Sequence, residues 1–235
     1  MIVDVWSIVT TSLFRIVASL LATGLVVFFR HRIWRSILRG YHYLFDTRAS
    51  IKIRRIDRYE SDPSKTPDHS VFEDLKSNVD GLKIEGISED KIRITVPEIN
   101  ATIDVLVERD LDIDPSMAAL PGQVGEKVGY KVIVETEPSM SFGYRTYDDL
   151  SKFEYISDNI AKQVGKTCFA GDDPTESFVT GELDTRVPIK RHDVNDRELG
   201  MRARFEDSTM TFNLDNPNQL TRGIRRYFQP LTLRN

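Results

Sequence analysis

Val5 to Phe29 form a run of 25 mostly apolar residues in which Arg15 is the only charge. About 20 such residues cross a bilayer core at a helical rise of 1.5 Å each, so the run is long enough to span. Trp6 and Trp34 flank it 28 residues apart. On a helix that is roughly 42 Å, near the full thickness of a bilayer with its headgroups. Indole rings favour that interface. Arg15 opposes insertion by about 2.5–3.5 kcal/mol, whereas central Leu, Ile, Val and Phe each return roughly 0.3–0.6. About ten such residues offset one arginine, so the balance is marginal to favourable.

Ser7, Thr11, Arg15, Ser19 and Thr23 recur every four residues, with Ala18 and Ala22 beside them. Small and polar residues in one seam let membrane helices pack closely and hydrogen-bond to one another. The seam predicts self-association, or a membrane protein partner. The plain alternative is an arginine that snorkels along a tilted helix.

No Lys or Arg precedes the run, while Arg30, Arg32, Arg35 and Arg39 follow it. That asymmetry argues against a cleaved signal peptide. It predicts a single-pass membrane protein with its N-terminus outside and its C-terminal part cytoplasmic. Beyond the run, Ile33, Trp34, Ile37, Leu38, Tyr41, Leu44 and Phe45 follow helical spacing, with Arg32, Arg35, Arg39 and His42 on the other side. An apolar stripe opposite arginines fits a helix lying in an anionic headgroup layer, with Trp34 and the arginines at the lipid headgroups. The same stripe would also suit a protein partner, and residues 1–46 as a partner-binding arm of a larger assembly are a third reading.

Charge is divided along the chain. Residues 1–49 carry a net of +4 and residues 50–235 a net of −8. An acidic body argues against nucleic acid as a partner, because binding it takes a broad basic surface. The single cysteine, Cys168, excludes an internal disulfide framework.

In the body, "SIKIRRIDRY" alternates at Ile51 and Ile53 and predicts a short strand or an extended exit from the membrane. "ESDPSKTPDH" has a linker composition. A helix with a capping box at Ser70 and Glu73 runs to Gly81, and "LKIEGI", "KIRITV" and "ATIDVLVE" then predict an antiparallel meander. "YKVIVETE" is a further strand. The longest body helix spans Thr146 to Val164, ending at Gly165; "TCFAG" and "SFVTGEL" follow as short strands. "LGMRARFE" and "TMTFNL" make a hairpin, and Asn216 and Pro217 open a last helix. "ISEDKIRITV" and "FEDSTMTFNL" both set an acidic turn before an alternating strand, too weak a likeness for a repeat.

The expected fold is an N-terminal transmembrane or interfacial α-helix followed by an α+β domain with a mostly antiparallel sheet and about three helices. The boundaries are a transmembrane helix at 1–29, a basic amphipathic helix at 30–49, a strand and linker at 50–69, and an acidic domain at 70–235.

No motif names a chemistry. "PGQVGEKVG" lacks phosphate-loop spacing and no serine sits in a GxSxG elbow. The four histidines, at 31, 42, 69 and 192, show no ligand spacing, and neither a metal nor a cofactor is expected. Two acidic loops, Asp172, Asp173 and Glu176 in one and His192, Asp193 and Asp196 in the other, would hold a divalent ion or supply an acid and a base if the fold joined them. Ordinary turns use the same residues. Arg222, Arg225 and Arg226 on the last helix read as a solvated face. The leading expectation is a membrane-anchored binding, sensing or assembly domain. The rival is a membrane-tethered metal-dependent hydrolase built on Asp172, Asp173, His192 and Asp193.

Overall fold

The computed structural model describes residues 19, 37, 40–41, 44–45, 48–65, 67, 69–79, 81–88, 90–112, 127–143, 146–184 and 191–228. The chain divides into two compact units, Met1–Phe45 and Asp46–Asn235. In the first unit Ile37, Gly40, Tyr41 and Leu44 are helical, and the Phe45 N–H donates to the Tyr41 carbonyl at 3.0 Å.

Among the described residues ten strands build the second unit: β1 (Arg48–Tyr59), β2 (Lys83–Ser88), β3 (Lys91–Val96), β4 (Ala101–Asp112), β5 (Lys127–Thr136), β6 (Met140–Gly143), β7 (Glu176–Asp184), β8 (His192–Asp196), β9 (Met201–Glu206) and β10 (Thr209–Leu214). They form one antiparallel sheet in the order β2-β3-β4-β5-β1-β7-β10-β9-β8, with β6 continuing the β5 side of β1. Among the described residues three α-helices accompany it: α1 (Glu73–Asn78), α2 (Asp148–Cys168) and α3 (Leu220–Phe228).

Two strand-led halves meet at the centre. In each, a leading strand is followed by a meander whose last strand returns to pair with it: β5 with β1, and β10 with β7. A helix then follows, α2 in the first half and α3 in the second. The leading strands pair with each other from Ser50↔Asp184 to Arg58↔Glu176. The hairpins β2–β3 and β9–β10, which carry the two similar sequence stretches, sit at different distances from the leading strands, so that likeness does not mark the correspondence.

Alternation assigns the faces. Ile92, Ile94 and Val96 of β3, Ile103, Val105 and Val107 of β4, and Met210, Phe212 and Leu214 of β10 are buried on one face. Leu150, Phe153, Ile156, Ile160 and Val164 recur at three- and four-residue spacing and close α2 over the core. Leu220 and Ile224 do the same from α3, whose first turn is tied to α2 by the Thr221 N–H donating to Glu154 Oε2 at 2.8 Å.

The other face is a lattice of cross-strand charges. Arg93 donates to Asp104 at 2.7 and 2.9 Å and Lys91 lies 2.8 Å from the same carboxylate. Burial works against the Asp104 charge, yet these two cations hold its carboxyl below the usual range. Arg54–Glu135, Lys131–Glu108 and Arg58–Glu176 extend the pattern across β4, β5, β1 and β7. Exposed pairs of this kind contribute little each, but they leave this stretch of sheet without a one-signed patch.

At the β8 edge, Asp196 clasps α3. Its Oδ1 accepts the Glu198 and Leu199 N–H groups at 3.0 and 3.2 Å, and Oδ2 accepts the Tyr227 hydroxyl with Arg226 3.3 Å away. The Tyr227 hydroxyl above all, with the Leu199 N–H, Arg226 and the Glu198 N–H, lowers the Asp196 pKa against the opposing effect of burial. A folded pKa below the unfolded one stabilises the fold above about pH 4 and stops doing so as pH falls through the folded value. Urea midpoints measured from pH 7 to pH 3 are expected to fall more steeply for wild type than for Tyr227→Phe. Parallel profiles would remove the clasp from the account.

The structure corrects the expected fold. Its body is one ten-stranded antiparallel sheet with three helices of unequal length, and among the described residues no helix is long and apolar enough to cross a membrane. The run at 5–29 lies outside the described residues apart from Ser19, which is helical and exposed. Residues expected to be a strand and linker ahead of the domain include its central strand, β1, because hydrogen bonding on both edges outweighs the polar residues that interrupt its alternation. The charged stretch expected as a loop at 192–196 is the edge strand β8, where one free edge tolerates such residues. The helix expected to end at Gly165 runs on through "TC" to Cys168, and "FAG" is its terminal turn. Gly165 instead makes room for Tyr59: a Cβ there would lie 2.9 Å from the hydroxyl. The Ser70 capping box is replaced by a 3-10 turn at His69–Phe72, with Phe72 as the helix cap and no side-chain hydrogen bond there.

Candidate functional site

Along β1 the core-facing positions begin as alternation demands, with Ala49, Ile51 and Ile53 fully buried. The next three on the same face are Arg55, Asp57 and Tyr59, only 6%, 0% and 3% exposed. Placing ions where a sheet wants aliphatic groups costs several kcal/mol per charge unless the pair is fully hydrogen-bonded. Here it is. Arg55 Nε donates to Asp57 Oδ2 at 2.9 Å and its Nη2 lies 3.4 Å from Oδ1. Ser177 Oγ, from the adjoining position on β7, donates to Asp57 Oδ1 at 2.5 Å. Arg55 Nη1 reaches up to Asp158 Oδ1 on α2 at 3.3 Å, and Lys162 lies 2.6 Å from the other Asp158 oxygen.

Beside this network is a cavity of about 320 Å³, at the lower end of the range for small-molecule sites. Its floor is the polar end of β1, its roof is α2 at Ala161, Lys162, Gly165 and Lys166, and its wall is the Gly171–Pro174 loop. Tyr59 stacks its ring on Phe169 with centroids 4.0 Å apart. Burial first, and the negative charges of Asp57 and Asp173 next, push its hydroxyl well above the ordinary phenol range, so it stays protonated.

The acidic loops do not converge. Asp172 and Asp173 stand exposed at the cavity wall. Glu176 opens β7 and pairs with Arg58. His192 and Asp193 belong to edge strand β8, where the imidazole stacks on Phe205 at 4.4 Å and Asp193 accepts from Arg204 at 3.1 Å. Three strand spacings separate β8 from β7, roughly 14 Å. The register His192↔Phe205, Met210↔Phe205 and Met210↔Leu183 also sets His192 level with the far end of β7 from Glu176. Among the described residues no group of three His, Cys, Asp or Glu side chains could hold a metal ion. Arg222 and Arg226 are paired with Glu198, and Arg225 lies 5.7 Å over the Tyr147 ring. Ser7, Thr11, Arg15 and Thr23 of the seam, and Arg30, Arg32, Trp34, Arg35 and Arg39 of the headgroup set, lie outside the described residues.

No family model matches the chain. No curated protein matches it either. What the site can do must therefore be read from its own chemistry.

The cavity lining includes neither histidine nor cysteine, and the nearby Ser177 hydroxyl is engaged by a carboxylate already locked to Arg55. Sequence reasoning missed Arg55, Asp57, Tyr59 and Asp158. The signal was present in "IKIRRIDRY": if the alternation that starts at Ile51 is continued, Arg55, Asp57 and Tyr59 fall on the buried face.

Proposed function

We propose that the chain is a membrane-attached binding module, its basic apolar N-terminal part holding it to an anionic bilayer and its sheet domain engaging a ligand on the cytoplasmic side. One observation carries the attachment: Ile37, Tyr41, Leu44 and Phe45 are 55%, 51%, 75% and 68% exposed. Four large apolar side chains at helical spacing favour burial, and the four arginines at 30, 32, 35 and 39 favour an anionic phosphate layer as the cover. Self-association through the row from Ser7 to Thr23 belongs to the same proposal. The hydrolase reading has no comparable support, since its two loops lie apart.

Flotation of the full chain with vesicles tests the attachment. Wild type is expected to float with phosphatidylserine-containing vesicles. Replacing all four arginines by serine is expected to weaken that association by about two to three orders of magnitude at low salt, from about 1 kcal/mol per basic residue near the surface. Crosslinking in the same vesicles reports self-association, and protease protection in cells reports which face carries the domain. A full chain that stays in the lipid-free fraction would overturn the proposal.

A further inference from the structure

The residues around the cavity divide into those already satisfied and those still free. Arg55 is engaged by Asp57 and Asp158, Asp57 also accepts from Ser177, and Lys162 is bound to Asp158. These groups neutralise one another and have little left to offer a ligand. Tyr59 is different. It is 3% exposed and lines the cavity, its hydroxyl lies against Gly165, and no hydrogen bond joins that hydroxyl to another described residue.

The free charges around it are mostly negative. Asp172 and Asp173 are exposed at the wall with no ion pair among the described residues, against Lys166, itself exposed at the rim. The roof lies at the C-terminal end of α2, where the helix dipole adds partial negative charge. The field at the Tyr59 hydroxyl has the same sign, because Asp57 and Asp173 together oppose its ionisation against Arg55 alone. A small anion would meet two carboxylates and the wrong end of a helix. A small cation meets complementary charge and a hydroxyl lone pair, under a roof with no long side chain at Ala161 and Gly165.

Resting on the reading of the domain as a binding module, we propose that this cavity binds a small organic cation bearing a primary ammonium group, with the Tyr59 oxygen accepting a hydrogen bond from it and Asp172 and Asp173 balancing its charge. The ligand class follows from what the lining leaves unused. About 320 Å³ is ample for an alkylamine or short diamine.

Calorimetric titration of the full chain with 1,4-diaminobutane at low ionic strength tests it, with 1,4-butanediol and inorganic phosphate as controls. Saturable one-to-one binding of the diamine alone is expected. Tyr59→Phe, which removes one oxygen and keeps the stacked ring, is expected to weaken it about tenfold, the scale of a hydrogen bond to a charged group. Asp172→Asn with Asp173→Asn is expected to weaken it tenfold or more and to flatten its salt dependence. Circular dichroism confirms that the variants fold. No saturable binding, equal affinity in all variants, or binding of phosphate instead would overturn the proposal. Failure here with vesicle flotation intact rejects the ligand and leaves the membrane attachment standing; loss of flotation with diamine binding intact does the reverse.

Discussion

Asp57→Ala is expected to lower the stability of the domain by about 3 kcal/mol, the low end of the 3–5 kcal/mol typical when one partner of a buried ion pair is removed. The substitution strands the Arg55 guanidinium on the core face with Asp158 as its remaining carboxylate, and it leaves the Ser177 hydroxyl without its acceptor. Asp158 is why the low end applies. For a domain whose total stability is about 5–15 kcal/mol, that is a large fraction. The double replacement Arg55→Met with Asp57→Leu is expected to behave differently. It removes both charges together and restores the alternation begun by Ile51 and Ile53, so its stability should fall within about 1 kcal/mol of wild type or above it. Urea unfolding of the full chain followed by circular dichroism distinguishes the cases. If the double variant is as unstable as Asp57→Ala, the pair stabilises the sheet on its own account.

Gly181→Ala is the second large effect, and it comes from overpacking. Gly181 lies on β7 between Ile53 of β1 and Phe212 of β10, on the core face. A methyl group there would stand 2.5 Å from Phe212 Cζ and 2.8 Å from the Lys52 carbonyl oxygen. The ring occupies the space where a side chain would be, a common way of covering a glycine in a sheet. Phe212 can shift but the Lys52 backbone is held in β1, so the cost is expected at or above the top of the usual 1–3 kcal/mol for inserted methyl groups. Phe212→Leu relieves the ring contact. Its combination with Gly181→Ala is therefore expected to cost less than the two single changes summed, with a coupling of about 1 kcal/mol. Strict additivity in the same unfolding assay would show that the ring is not what Gly181 accommodates.

Several elements could be read from residues alone because short-range physics specifies them. Ile92, Ile94 and Val96, Ile103, Val105 and Val107, and the "LGMRARFE"–"TMTFNL" pair alternate without interruption, and each is a strand. The apolar spacing from Leu150 to Val164 gives α2. Where a charged residue displaced an apolar one, the pattern was harder to read: β1 was expected only as a short strand or an extended exit from the membrane, and β8, with His192 and Asp193 on an exposed edge, resembled a loop. Asp172 and Asp173 were visible as candidates, but the sequence paired them with His192 and Asp193. Their neighbours in space are Tyr59, Gly165 and Lys166.

The sequence by itself determined the charge division between the two ends of the chain, the apolar run with its following arginines, and most of the strands and helices of the body. These depend on composition and on periods of 2 and 3.6 residues, which nearby positions set. The tertiary structure decided the order of strands across the sheet, the meeting of β1 with β7, and the site that meeting creates. Arg55 and Asp57 lie more than a hundred residues from Asp158 and Ser177. Contacts over that separation follow from which strands share hydrogen bonds and which helix closes over them, and no local pattern of side chains records that choice.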